Sequence, residues 1–210
     1  MTGRIATTAA ALAALFSLTA PTRAQDAPPR TVEVELQTTE GNILVALEVE
    51  RAPITAGNFL RYVDQHRLDG TVFYRAMVLD WGDQPNGIIQ GGTQYDPDRI
   101  LPPIAHEPTS VTGLSHVRGA LSMARNEPGS ATGDFSIMVQ DLTNMDADPA
   151  NEDAQFHDGY AVFGQVIGGM EVVERIHAAP RDPDKGEGWM KGEMLATPVV
   201  IVRAVRVAAN

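Results

Sequence analysis

A chain of 210 residues, 43% hydrophobic and with a mean hydropathy of −0.13, is long enough to bury one good core as a globular domain. Its formal net charge of −11 argues against nucleic acid or an anionic membrane as partner, because phosphate contacts need clustered Lys and Arg. With no cysteine, disulfides and a thiol nucleophile are excluded.

Met1 to Arg4 is a short basic start, and Ile5 to Leu18 is an uncharged, alanine-rich apolar run. Thr22-Arg23-Ala24 then places small residues at both key positions before a cut. This pattern predicts a secretory signal peptide over residues 1–24, cleaved near Ala24. The run is short for a transmembrane helix, so no membrane association is expected after cleavage. No cysteine stands near the cut, which excludes an acylated lipoprotein. The expected destination is the periplasm of a Gram-negative host, or secretion in another host. A chain starting at Gln25 would carry 14 basic and 27 acidic residues, a net charge of −13.

Residues 25–30 read as a polar, Pro-containing flexible tail, and 31–207 as a single domain. Val32, Val34 and Leu36 alternate with Glu33, Glu35 and Gln37; Ile43, Val45, Leu47 and Val49 repeat the period of two. With the turn Thr39-Glu40-Gly41-Asn42 between them, they predict a hairpin. Ala52-Pro53-Ile54-Thr55 leads into a helix with Thr55 as its expected N-cap, and Ala56, Phe59, Leu60 and Val63 recur at helical spacing.

Val72-Phe73-Tyr74-Arg75 alternates like a strand and ends on a guanidinium. Ile88-Ile89-Gln90-Gly91-Gly92 is a short apolar run ending in an amide and two glycines. Asp80, Gly82, Asp83, Pro85, Asn86 and Gly87 between them predict a loop that folds back, placing Arg75 and Gln90 on one groove. Further strands are expected at Gly119–Ala124, Phe135–Val139, Tyr160–Val166 and Val199–Val207, and a second helix after Gly168-Gly169 with Met170, Val173 and Ile176 on one face. Many short strands, two helices and no βα alternation predict a closed or nearly closed antiparallel barrel.

Six pieces carry a family resemblance, in family order across nearly all of residues 31–207. They are Ala52-Pro53 with Asn58-Phe59, Phe73-Tyr74-Arg75, Ile89-Gln90-Gly91-Gly92, Gly119 to Ala124, Ser130 to Ile137, and Val162-Phe163-Gly164-Gln165-Val166 leading to Gly169-Met170. The chain resembles the cyclophilin-type peptidyl-prolyl cis-trans isomerases. The resemblance implies a mainly β fold, a closed eight-stranded antiparallel barrel capped by two helices, with proline-containing polypeptides bound on its outer face. Arg75 matches the family's catalytic arginine, and Gln90 the glutamine that orients it and binds substrate backbone. The implied substrate contacts are completed by Tyr74, Ile88, Ala124, Arg125, Asp134, Ser136, Phe156, His157 and Tyr160. Turning an amide breaks no bond, so no cofactor and no metal are expected, and the protein is expected to act as a monomer.

The groove also departs from the family. Gly87 and Ile88 stand where members carry phenylalanine and methionine, and Asp134-Phe135-Ser136 replaces a glutamine and two phenylalanines. Phe135 is expected to point into the core, so Ser136 removes an aromatic ring from the floor of the proline pocket. Phe156 and His157 fall near the family's tryptophan and leucine, and Tyr160 near its histidine. Fewer aromatics should weaken ring binding, which predicts a slow or selective isomerase. Asp134 could also pair with Arg75 and compete with substrate. A cyclophilin-fold peptide-binding or chaperone module with little activity is the alternative, and a ligand carrier using the barrel interior would require an unfilled core. His66, His106, His116 and His177 lack ligand spacing and read as surface or satisfied polar residues. The acidic run over residues 141–158 reads as a solvated loop, and Trp189 as a loop anchor.

Overall fold

The computed structural model describes residues 28–208; the expected export signal lies outside them. β1 (Val32–Thr38) and β2 (Gly41–Leu47) form the expected hairpin, Val34 facing Val45 and Leu36 facing Ile43. Val34, Leu36, Ile43, Val45 and Leu47 are fully buried. Slipping the register by one residue would turn Glu33 and Glu35 inward instead, which fixes the pairing.

α1 (Pro53–Asp64) starts three residues earlier than a Thr55 cap would allow, and Ala52 at its N-cap makes no side-chain bond. Pro53 suits the first turn because its missing N–H would have lacked a partner there. The cap comes from far along the chain: Glu107 accepts from Ile54 N at 3.1 Å and from Thr55 N at 2.6 Å. The Thr55 hydroxyl donates to the same carboxylate at 2.6 Å. A carboxylate at the positive end of a helix does what a local cap would have done.

The chain continues through β3 (Val72–Met77), β4 (Ile88–Gly92), the short α2 (Thr109–Thr112), β5 (Ala120–Met123) and β6 (Phe135–Met138). It ends with the short α3 (Ala154–Asp158), β7 (Val162–Gly168), α4 (Met170–His177) and β8 (Met194–Arg206). The strands close into an antiparallel barrel in the order β1-β2-β7-β5-β6-β4-β3-β8, with β8 returning to β1. Closure leaves no open edge to aggregate. α1 packs on β7 and β8, and α4 on β2, β3 and β4. β8 begins five residues before the expected Val199, where Ala196-Thr197-Pro198 interrupts the apolar run and hides the strand from pattern reading.

Aromatic rings fill the interior. Phe59 from α1 meets Phe135 edge-on at 5.1 Å and Phe163 at 5.2 Å, and Phe135 meets Phe73 at 5.7 Å. All four are at most 2% exposed, and each such side chain contributes about 1.5–3 kcal/mol of burial. A solid interior excludes the carrier reading and leaves the outer face as the place for chemistry.

Candidate active site

β3 and β4 pair so that Arg75 lies opposite Gln90 and Ala76 opposite Ile89, with a bulge between Phe73 and Arg75. The bulge matters because Phe73 and Ala76 both belong to the core. The extra residue lets Tyr74 and Arg75 leave that core side by side. Arg75 Nη1 donates to Gln90 Oε1 at 2.6 Å, and the Gln90 side chain also bonds the Tyr74 hydroxyl. The two groups expected on one groove are in direct contact.

The carboxylate beside Arg75 is not Asp134. Arg75 Nε donates to Glu193 Oε2 at 2.8 Å, and Nη2 stands 2.7 Å from the same oxygen. Nη2 is nevertheless not aligned for a hydrogen bond to any acceptor among the described residues. Glu193 is brought there by backbone pairing: Met194 at the start of β8 sits opposite Arg75, and Ala76 N donates to Glu193 O at 2.9 Å. The ring of Trp189 lies over the guanidinium, 4.6 Å from its central carbon. With these neighbours Arg75 is only 3% exposed.

Asp134 turns its carboxylate to backbone donors instead, accepting from Gln94 N at 2.8 Å and from Thr93 N. Gly92 makes this approach possible: its φ is +129°, and a Cβ there would collide with the Gly133 carbonyl. Burial pushes the Asp134 carboxyl up to about 6, against the pull of those two donors. Tyr74, 8% exposed, is pushed up as well, first by burial and then by the Asp134 charge.

The family profile described as cyclophilin type peptidyl-prolyl cis-trans isomerase/CLD matches residues 32–205. The chain belongs to this family. A peptidyl-prolyl cis-trans isomerase of Acinetobacter baylyi is 41% identical over 151 residues, 70% of this chain and 72% of that protein. Peptidyl-prolyl cis-trans isomerase A of Dickeya dadantii is 37% identical over 171 residues, 80% and 82% of the two chains. Isomerase B of Escherichia coli is 34% identical over 148 residues, 68% and 82%. The fold agrees with a cyclophilin-type isomerase of Cryptosporidium parvum solved by crystallography: TM-score 0.64, 21% identity, 86% of this chain and 100% of that one. That protein has also been solved in the presence of the dipeptide Ala-Pro, with the same TM-score.

Within this cyclophilin frame the departing positions have physical explanations. Gly87 has a φ of +109°, and any Cβ would run into the Met77 carbonyl, so the turn before β4 leaves no room for a side chain. Ser136 lies opposite Gln90 on one side and Ser122 on the other, and is 6% exposed. Ile88 is 5% exposed and sits in a small apolar cluster with Ala120, Met138, Leu142 and Val162. Ala124 is tied to the Asp134 carbonyl by its N–H at 3.0 Å. The Arg125 guanidinium lies 4.7 Å over the Tyr160 ring and its Nε donates to Gly159 O at 3.1 Å. Phe156 and His157 on α3 are exposed, the latter 2.9 Å from Asp158 Oδ1.

His116 Nδ1 is 2.5 Å from Asp146 and its Nε2 is 2.9 Å from the Ser122 hydroxyl, which has the connectivity of a hydrolase triad. His116 is 0% and Ser122 1% exposed, and both side chains are already bonded within the array. The array instead ties the acidic loop to β5, and burial keeps the imidazole below its ordinary range. His177, 5% exposed, is likewise satisfied by Met77 O at 3.0 Å, while His106 contacts Asp158 O at 2.9 Å and His66 pairs with Asp69 at 3.1 Å. Sequence reasoning missed Glu193 and Trp189. A tryptophan in a Gly- and Asp-rich loop ahead of the closing strand was the available signal.

A raised Asp134 pKa means that folding favours its protonated form. Its contribution to stability is therefore full below its ordinary value near 3.8 and is lost as pH rises through about 6. In urea unfolding, Asp134→Asn should gain on the unsubstituted protein by on the order of 2–3 kcal/mol between pH 4 and pH 7. A difference that stays flat over that range would contradict the burial of an unpaired carboxyl.

Proposed function

We propose that Arg75 is the electrostatic catalyst of this isomerase, acting on X–Pro bonds of exported polypeptides. The barrier to be lowered is about 18–20 kcal/mol and comes from C–N double-bond character. A donor aimed at the prolyl nitrogen draws its lone pair out of resonance and lets the amide turn. Arginine suits this because it stays charged and holds its donors in a rigid plane. The observation that carries the reading is the fixed guanidinium: Gln90 and Glu193 hold Nη1 and Nε, while Nη2 has no aligned partner among the described residues. A buried, unsatisfied N–H costs about 1–3 kcal/mol, and a substrate atom is the partner that would recover it. Each 1.36 kcal/mol gained only in the transition state is tenfold in rate.

Gln90 and Tyr74 orient the arginine in this reading. Ala124, Arg125, Asp134, Ser136, Ile88, Phe156, His157 and Tyr160 border the path of the peptide. With Ser136 and Gly87 in place of aromatic rings, the enzyme is slow or selective. The near-complete covering of Arg75 favours a second reading, a peptide-binding module of the same fold with little turnover. The basic start, apolar run and small residues at 22–24 support export and a cut near Ala24, and N-terminal sequencing of the exported protein should read from Gln25; an intact Met1 terminus would reject this.

Proline-limited refolding of a reporter protein tests the catalytic assignment. Arg75→Ala should lower kcat/KM at least about 100-fold, the effect of losing one preorganised donor, with the circular dichroism spectrum unchanged. Equal activity in the two proteins would refute Arg75 as catalyst. No activity in either, across several residues before proline, would favour the binding module.

A further inference from the structure

Trp189 is 75% exposed, an unusual place for the largest apolar side chain, which offers roughly 150–250 Å² of contact area. It is not on a loose tip. Residues 188–190 form a 3-10 turn, and the loop around it is pinned by Asp182 N to Met194 O and Gly192 N to Lys185 O, both at 2.8 Å. Glu193 N closes it onto Met190 O at 3.1 Å, and Glu193 O is bound in turn by Ala76 N. The indole is thus held against Arg75, with the guanidinium carbon over one face of the ring and most of its surface in water.

The geometry of the guanidinium decides what that free surface meets. The N–H donors of Arg75 lie in the guanidinium plane, and a prolyl nitrogen bound to one of them stands about 3 Å away. The Trp189 ring centre is 4.6 Å from the guanidinium carbon, so a proline ring attached to that nitrogen comes within van der Waals reach of the indole. The strands around Arg75 offer little apolar side-chain area of their own at these positions, because Gly87 just before β4 has no side chain and Ser136, opposite Gln90, is short.

We propose that Trp189 is a substrate-binding residue that grips the prolyl ring, supplying from the loop before β8 the apolar wall that β4 and β6 lack. This rests on Arg75 being the group that meets the prolyl nitrogen. Glu193 serves it as a positioning residue, holding the guanidinium against the indole. Because the wall comes from a loop outside the strands that carry Arg75 and Gln90, ring binding and bond rotation are separable.

The test uses two properties of the whole protein. Trp81 and Trp189 are its two tryptophans, so Trp81→Phe leaves Trp189 as the sole fluorescent reporter. Titration with a short Ala-Pro peptide should change its emission saturably, and the same peptide with alanine for proline should not. In an isomerisation assay, Trp189→Ala should raise KM at least fivefold with kcat within twofold, and Trp189→Phe should keep KM within twofold. Trp189→Ala should stay cooperatively folded, with only a small fall in its urea midpoint from the lost contact with Arg75.

A silent Trp189 under saturating peptide, or an unchanged KM in Trp189→Ala, overturns the assignment. So does a rise in kcat/KM in Trp189→Ala, which would make the indole a cover over Arg75. If Arg75→Ala loses turnover while Trp189 stays silent, the catalytic reading survives and this one fails. If the unsubstituted protein turns nothing over while Trp189 responds to the proline peptide, the outcome is reversed.

Discussion

Burying a guanidinium is costly unless its charge is paired and its donors are bonded. Arg75 is 3% exposed, and three side chains from two other parts of the chain converge to meet that cost. Gln90 arrives on the neighbouring strand β4, Glu193 at the start of β8 on the other side, and Trp189 from the loop before it. The barrel must close in its observed order for β3 to lie between β4 and β8. The site is therefore a consequence of closure, and the packed phenylalanines that enforce closure indirectly set the arginine. Removing Glu193 alone would leave a buried charge held only by the neutral Gln90 amide, so this carboxylate matters for geometry whatever its part in turnover.

The solid interior has the complementary consequence. With Phe59, Phe73, Phe135 and Phe163 filling the barrel, the interior leaves no room for a ligand, and the proposed peptide site is on the outside. A shallow groove needs apolar walls to grip a proline ring, and the backbone explains why two of them are absent. Gly87 cannot carry a side chain against the Met77 carbonyl. Ser136, between Gln90 and Ser122 in the sheet, contributes little apolar area. An exposed indole on a pinned loop is the arrangement that restores such a wall from outside the sheet.

What could be read from the sequence followed the range of each interaction. The hairpin of β1 and β2 is legible because alternation of Val34, Leu36, Ile43 and Val45 is local and a slip would bury glutamates. Arg75 and Gln90 are 15 residues apart across one returning loop, close enough for turn chemistry to predict their meeting. Phe135 was assignable to the core from its match to the family pattern, and it is fully buried. The partner of Arg75 was not legible, because Glu193 is 118 residues away and Asp134 is nearer the matched motifs. Thr55 looked like a cap by the local rule, yet Glu107, 52 residues on, takes that role. In both cases a carboxylate fixed by tertiary structure took the role of the group that local spacing suggested.

Exchange spectroscopy by NMR at equilibrium, on a single-proline Ala-Pro peptide with a catalytic amount of protein, tests most directly whether the fixed guanidinium drives rotation. The comparison is with Arg75→Lys, which keeps the charge but loses the planar fork. The expected result is cis–trans cross peaks with the unsubstituted protein and their loss, or at least a tenfold slower exchange, with the lysine variant. Equal exchange rates in the two proteins would contradict a role for the oriented donors of Arg75.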